Sequence, residues 1–400
     1  MNERIREIND MAASCGCESH YPIEIDTIRI EPRAIDHIGS YLVQKSVQRV
    51  LLVADDNTYR AAGRAVEEQL RKSGCTASVC IVPPNHQGDV VADERSIVHL
   101  MLEVSPQHTE LLIAVGSGTI HDIVRIVAFK TGKPFLSVPT AASVDGFNSK
   151  GAPIIVKGNK ITIAASAPIA IFADLDILVK APAALAAAGF GDMLGKFTSL
   201  FDWKFSHAIA GEPYCPLAAG ITEKALRSCI EHVDDIAAGD AEGIRLLMTA
   251  LIESGLAMLI FGQSHPASGS EHHLSHYWEM EYLRLGYKQL LHGAKVGAAC
   301  AEISALYHRE AKEETLLQAC AAAAEDERKQ RAVKKRWDEI ADWLKEIPSP
   351  DQLRQWLVAV GGPSNPAALG LEAELVSRSL EQAHEVRSRY TLLRALNTLA

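Results

Sequence analysis

The sequence predicts an α/β domain with a parallel sheet over residues 1–180, followed by an all-helical domain over 181–400. Three observations predict it. Short, almost continuously apolar runs alternate with helical stretches in the first ~180 residues, the pattern of strands buried on both faces. After Asp176 the texture changes, and from Pro182 to Ala400 the apolar spacing is almost entirely helical. Finally, a glycine-rich turn, "AVGSGTIHDIVR", joins one of the apolar runs to a helix.

Each element follows from local chemistry. "RVLLVA" (Arg49 to Ala54) is a β-branched and leucine run that ends at Asp55-Asp56-Asn57. "RAAGRAVEEQLRKSG" is helical and is stopped by Gly74. "ASVCIVP" (Ala77 to Pro83) reads as the next strand, "ERSIVHLMLEVS" as a helix, and "ELLIAVG" (Glu110 to Gly116) as a buried strand. A helix from about Thr119 to Lys130 and a strand, "PFLSVPT" (Pro134 to Thr140), complete the alternation. In the helical part, breaks fall at Gly211-Glu212-Pro213, Pro266, Pro348-Ser349-Pro350 and Gly361-Gly362-Pro363. The charged stretch 325–339, "EDERKQRAVKKRWDE", predicts a solvated helix face with no binding role.

Composition narrows the function class. The 400 residues are 48% hydrophobic and 22% charged, the balance of an ordinary soluble globular protein. A formal net charge of −10 argues against a nucleic-acid or anionic-membrane partner, so an anionic substrate needs a local site. "MNERIREINDMAASCGC" lacks the apolar core of a signal peptide, and no uninterrupted apolar run suggests a membrane span. The eight cysteines are scattered, with only Cys15 and Cys17 close together; reduced thiols in a cytoplasmic protein are expected.

Several residues are placed where chemistry could occur. Gly116 and Gly118 permit a tight turn, and the helix start beyond them favours an anion such as a pyrophosphate. The pattern departs from G-x-G-x-x-G, since His121 stands where the third glycine would be, and a strand-to-helix turn uses glycine in any case. Asp55 and Asp56, at the C-terminal end of an earlier strand, could accept hydrogen bonds from a ribose diol or cap the next helix. In "PTAASVDGFNSKGAP", Asp145 between Val144 and Gly146 could present a carboxylate to a substrate hydroxyl, or lie in a plain loop.

The histidines of "SGSEHHLSHYWEM" pose the sharper question. His272 and His276 are four residues apart and share one helix face, His273 points elsewhere, and His292 can return from the next helix. Two imidazoles need a further ligand to hold a Zn²⁺-type ion with one open position. Asp192, a lone acid in "AAGFGDMLGK", is the best candidate; its alternative is a helix cap, and that of the histidines a polar surface. The pattern is not H-E-x-x-H, which disfavours a zinc peptidase.

In combination, "VGSGTIHDIVR", "PTAASVDGF", "AAGFGDMLGK", "PASGSEHHLSH" and "LHGAKVG" resemble the bacterial branch of the sn-glycerol-1-phosphate dehydrogenase family. That family lies within the iron-containing alcohol dehydrogenase, glycerol dehydrogenase and dehydroquinate synthase superfamily. The resemblance spans about residues 20–310 and implies a nucleotide-binding α/β domain, a helical domain and an active site in the cleft between them. It implies that Gly118, Thr119, Ile120, His121 and Asp122 hold the pyrophosphate and nicotinamide ribose, with Asp55 near the adenosine. Thr140, Ala141, Ala142, Ser143 and Ser149 would line the rest of the cofactor site. Asp145 would contact substrate. Asp192, His272 and His292 would bind one Ni²⁺ or Zn²⁺, with His276 beside the substrate.

The activity so implied is metal-dependent, NAD(P)H-dependent reduction of dihydroxyacetone phosphate to sn-glycerol 1-phosphate by a homodimer, with Asp192 and His276 in catalysis. The acids Asp55 and Asp56 favour NAD(H) over NADP(H). Lys160 and Lys196 are candidates for the substrate phosphate. The rival readings are a glycerol dehydrogenase-like polyol oxidoreductase, a dehydroquinate synthase-like lyase and a non-catalytic nucleotide- or metal-binding protein.

Overall fold

Six strands align in parallel because a helix carries the chain back after most of them; the inner ones are apolar enough to be covered on both faces, while the two edge strands keep polar, partly exposed positions. The computed structural model describes residues 1–17, 20–322 and 327–399. Its strands are β1 (Thr27–Glu31), β2 (Arg49–Ala54), β3 (Thr76–Ile81), β4 (Leu111–Gly116), β5 (Phe135–Pro139), β6 (Gly151–Val156), β7 (Asn159–Ala164) and β8 (Ala170–Asp174). The parallel sheet runs β1-β8-β5-β4-β2-β3, while β6 and β7 form a separate antiparallel hairpin. Every residue of β4, β5 and β8 is buried, as a strand at the centre of such a sheet requires.

The strand order decides where a ligand can enter. From β4 the chain moves to β5 on one side, and from β2 to β3 on the other. The connections therefore diverge between the adjacent strands β4 and β2. A crevice opens beyond the C-terminal ends of strands at such a switch point, and both the Gly116–Gly118 turn and Asp55 stand at it.

Among the described residues, the chain beyond β8 is helical. The helices that build the site are α1 (Asn2–Ser14), α2 (Gly118–Thr131), α3 (Ala183–Leu194), α4 (Lys196–Ala210), α5 (Pro216–Glu231), α6 (Ala241–Phe261), α7 (Ser270–Leu285) and α8 (His292–Glu313). α6 is long and apolar enough to cross a membrane, yet 72% of its apolar window is buried inside the protein. Its Leu247, Leu251, Leu256 and Ile260 are part of the main core, so its apolarity serves packing. The charged stretch 325–339 enters a helix at Glu327; Glu325 and Asp326 lie outside the described residues.

The strands and the helix at the glycine turn that the sequence predicts appear within a residue or two. Other elements went unforeseen. α1 is strongly charged, but Ile5, Ile8 and Ala12 bury one stripe in the core that α6 fills. By packing, α1 thus joins the helical part, although it precedes the sheet. β1 alternates its isoleucines with Arg29 and Glu31, and β8 runs straight into the apolar helix turn that starts at Leu175, so neither stands out from its flanks. The β6–β7 hairpin turns at Lys157 and Gly158, with φ of 51° and 76°, the left-handed pair a two-residue hairpin loop needs.

Candidate active site

A cavity of about 970 Å³ runs from the switch point to the helices, lined at one end by Asp55, Asp56, Ser117 and Gly118 and at the other by His272, His276 and His292. At the first end the backbone dominates. Ser117 precedes α2, whose first N–H groups have no partner within the helix and suit an anion. A Cβ on Gly116 would meet Ile120 at 2.7 Å, and one on Gly118 would meet Val144 at 3.1 Å, so glycine keeps the turn tight and its floor open. Asp55 caps a helix turn and also faces the cavity. Its carboxylate accepts from the N–H groups of Asn57 and Thr58 at 2.8 Å, capping the following turn, and it lines the cavity.

The other residues expected here divide. Thr119, Asp122, Ser143, Asp145 and Ser149 line the cavity. Ile120 and His121 do not: Ile120 packs in the core, and His121 lies between Ser117 O at 2.9 Å and Ser137 Oγ at 2.7 Å. Burial pushes the His121 imidazole down to about 3. Thr140, Ala141 and Ala142 are likewise buried behind the wall. Of the ten expected residues from Gly118 to Ser149 other than Asp145, five line the cavity and can face a ligand, namely Gly118, Thr119, Asp122, Ser143 and Ser149.

At the helical end side chains do the work. α7 carries His272 and His276 one turn apart, α8 begins at His292, and α3 brings Asp192 from a third direction. The His272 and His292 rings are 5.2 Å apart, His276 and His292 5.7 Å, and His272 and His276 6.1 Å. Asp192 Oδ1 lies 3.7 Å from His272 Nε2. Asp192 is wholly buried near the end of α3 rather than at a helix start, which removes its capping alternative.

Glycines make this meeting possible. A Cβ on Gly191 would overlap Gly293 O, and one on Gly293 would overlap Ala188 O. α3 and α8 therefore cross backbone to backbone, and the residues next to the crossing, Asp192 and His292, come to one place.

Two sets of ligand atoms each fall within 4.8 Å of one another: Asp192, His272 and His292, and His276, Glu279 and His292. Charge separates them. In the first, Asp192 and Asp145 face a single ammonium, Lys196, at 3.0 and 2.8 Å. In the second, the lone carboxylate Glu279 is held by Lys160 at 2.7 Å and Lys295 at 2.9 Å. Arg387 adds a third cation by donating to His276 Nε2 at 3.1 Å. A divalent cation suits the first set and is repelled from the second.

The first set also has the support a metal ligand needs. His272 Nδ1 is 2.7 Å from the buried carboxylate of Glu271, which leaves Nε2 to face Asp192. This is the outer partner that fixes a ligating imidazole. Burial holds His272 neutral, down to about 3, with its lone pair free. Among the described residues, His292 has ring contacts but no hydrogen bond, so its nitrogens are uncommitted. Nitrogen, nitrogen and carboxylate oxygen fit a borderline divalent ion with an open position. His273 lies on another face, fully buried, with neither nitrogen partnered.

The lysines expected at a phosphate part ways. Lys160, carried in by the hairpin, lines the cavity. Lys196 does not; it is fully buried against Asp145, Asp192 and Ala267 O, so it is committed to the two carboxylates. Glu271, Glu279, Lys295 and Arg387 were not anticipated. Glu279 lies three residues after His276 and Lys295 three after His292, a helical spacing that could have drawn attention to them. Arg387 has no such local signal.

Residues 29–182 match the family model for iron-containing alcohol dehydrogenases. The fold is similar to that of a probable glycerol dehydrogenase from Sinorhizobium meliloti 1021, with TM-score 0.64, 18% identity, and coverage of 93% of this chain and 91% of that one. Fold and site together thus define a dehydrogenase of the iron-containing alcohol dehydrogenase class, using a nicotinamide cofactor and a metal. Relatives over the full length are closer. The chain is 47% identical to glycerol-1-phosphate dehydrogenase [NAD(P)+] of Geobacillus stearothermophilus, over 100% of this chain and 99% of that protein. It is 46% identical to the enzyme of the same name from Geobacillus thermodenitrificans (strain NG80-2), over 99% and 98%. The chain belongs to the glycerol-1-phosphate dehydrogenase family.

Proposed function

We propose that this protein catalyses the reversible reduction of dihydroxyacetone phosphate to sn-glycerol 1-phosphate, with NAD(H) preferred and NADP(H) usable, supplying ether-type glycerophospholipid synthesis. In this reading Asp192, His272 and His292 hold one Ni²⁺ or Zn²⁺. The protein acts in the cytoplasm as a homodimer, on a small phosphorylated triose and with no nucleic-acid or membrane partner. The two domains divide near residue 180. The observation that carries the reading is the division of charge at the helical end: a net-negative pocket for a cation beside a net-positive one for a phosphate.

When bound, the nicotinamide supplies the hydride and the divalent ion supplies Lewis-acid polarisation of the carbonyl. The protein's residues do the rest. The α2 N-terminus and Gly118 take the pyrophosphate, while Ser143 and Ser149 offer hydroxyls along the same wall. Asp145, braced by Ser254 Oγ at 2.8 Å, takes a substrate hydroxyl. Burial alone would lower the Lys196 ammonium, but Asp145 and Asp192 raise it; it stays charged, fixes both carboxylates and exchanges no proton. His276 accepts from Arg387 at Nε2, so its own proton sits on Nδ1; from there it can hydrogen-bond the alkoxide and relay a proton to it, Nδ1 being reprotonated from solvent as its proton leaves. Lys160, Lys295 and Arg387 hold the phosphate.

The test strips the protein of metal, restores Ni²⁺ or Zn²⁺, and follows NADH oxidation with dihydroxyacetone phosphate, resolving the product by a chiral method. Arg387→Ala is expected to raise KM for the phosphorylated substrate roughly 10- to 100-fold, the worth of one charge-assisted hydrogen bond; because it also frees His276 Nε2, kcat should fall for dihydroxyacetone too, while the KM for dihydroxyacetone stays unchanged. Equal use of dihydroxyacetone or glycerol would move the reading to a polyol dehydrogenase. Absence of NADH consumption with any of them would end the dehydrogenase reading.

A further inference from the structure

A second cluster of metal-type ligands lies off the cavity wall. Cys15 Sγ is 3.3 Å from Cys17 Sγ, Cys17 Sγ is 3.0 Å from His20 Nε2, and His20 Nε2 is 3.2 Å from Cys215 Sγ. All four ligand atoms fall within 4.8 Å of one another. Three come from the short segment after α1, and the fourth precedes α5, some 200 residues along the chain.

We propose that Cys15, Cys17, His20 and Cys215 bind one structural divalent ion of the zinc class, separate from the ion at Asp192, His272 and His292. Bonds of about 2.3 Å to sulfur and 2.0 Å to nitrogen at tetrahedral angles set ligand atoms roughly 3.5–3.8 Å apart. The three close pairs need open by only a few tenths of an ångström to reach that spacing. Three sulfurs and one imidazole nitrogen make a closed set with no position left for substrate, the mark of a structural site. Thiols are weak hydrogen-bonding groups, so their own contacts give little reason for such a gathering. At the start of α5 the Ala218 N–H donates to Cys215 Sγ at 3.3 Å, a contact that a metal-bound sulfur can keep. A Cys–Cys bridge would leave His20, which touches both Cys17 and Cys215, without a role.

Such an ion would fasten two parts of the chain. Directly after His20, the Tyr21 N–H donates to Ile260 O at 3.0 Å. That oxygen belongs to the end of α6, and the residues that follow, Gly262, Gln263 and Ser264, line the cavity. α1, just before the cluster, packs into the core of α6. The ion would therefore tie α1 and its following segment to α5 and steady one wall of the cavity from behind.

The experiment uses full-length His272→Ala, in which the ligand set at the cavity is broken, loaded with Co²⁺. One equivalent of cobalt is expected, with the intense visible bands of a tetrahedral centre and thiolate-to-cobalt charge transfer in the near ultraviolet. Adding Cys17→Ser to this background should abolish the charge transfer and the bound equivalent; wild-type protein should carry two equivalents of Zn²⁺. Should the double variant fail to fold, the spectrum of His272→Ala decides alone. Cobalt absent from His272→Ala, cobalt bound without charge transfer, or a Cys15, Cys17 or Cys215 disulfide found by mass spectrometry after alkylation would each overturn the proposal.

Discussion

The two ends of the cavity are built on opposite plans. At the switch point the groups that face a ligand are backbone N–H groups and short side chains on two strand-to-helix turns, and Asp56 and Asn57 there are exposed. At the helical end they are buried side chains from separate helices, each held by another: His272 by Glu271, Asp192 by Lys196, Glu279 by Lys160 and Lys295. A turn tolerates side-chain change as long as its backbone survives. A buried charged cluster does not, because removing one partner strands the other. Side-chain substitutions should therefore be far costlier at the helical end.

The largest effect tests that contrast directly. His272→Ala removes a member of the cation set, while Ser117→Ala leaves the anion-binding backbone in place. Turnover of His272→Ala should fall by more than about 100-fold, beyond what loss of an outer partner costs, and bound metal should fall with it. Ser117→Ala should stay within a few-fold of wild type. Comparable losses in both would break the comparison. Glu271→Gln comes next: the amide keeps the shape but weakens the hold on His272 Nδ1, and metal affinity should drop roughly 10- to 100-fold by competition with a chelator. Unchanged affinity would make Glu271 a packing residue.

The third effect is mechanical. Gly293→Ala puts a methyl group into Ala188 O at the α3–α8 crossing, and overpacking of this kind costs about 1–3 kcal/mol. Denaturant unfolding should record that loss. Because the crossing sets the distance from Asp192 to His292, metal affinity should fall as well, whereas a nucleotide bound at the other end should bind as before. Destabilisation with metal affinity intact would mean that the crossing does not position the ligands.

The same contrast explains what the sequence could disclose. Gly116, Gly118 and Asp55 are legible because their work is local: a strand end, a turn and a helix start lie within a few residues. The His272/His276 pair is legible for the same reason, since one helical turn joins them. The partners are not. Glu271 reads as one more helix-start acid, Arg387 stands 111 residues from the imidazole it touches, and Lys196 reads as a phosphate ligand until Asp145 and Asp192 are seen around it. Ile120 and His121 show the converse: the family resemblance implies a ligand contact, but the first turn of α2 points them into the core. Cys15 and Cys17 were visible as a pair, yet His20 and Cys215 gain meaning only once α5 is placed beside them.

The smallest effect sharpens the comparison where the two plans overlap. Asp55 caps a turn and also lines the nucleotide end, so Asp55→Asn separates the roles. Asparagine keeps an oxygen for the Asn57 and Thr58 N–H groups and caps as well as aspartate, so stability should shift by no more than a few tenths of a kcal/mol. The negative charge, however, is gone. At a solvent-exposed spacing of about 4 Å a unit charge is worth about 1 kcal/mol, so the preference for NADH over NADPH should relax by roughly fivefold. Arg60, which also lines the cavity and donates to Asn57 Oδ1 at 2.6 Å, remains to receive the 2′-phosphate. The measurement is the ratio of kcat/KM for the two cofactors beside a denaturation curve. A changed ratio with an unchanged curve makes Asp55 a discriminator of cofactors; an unchanged ratio leaves it only the cap, and cofactor choice then rests with Asp56 and Arg60.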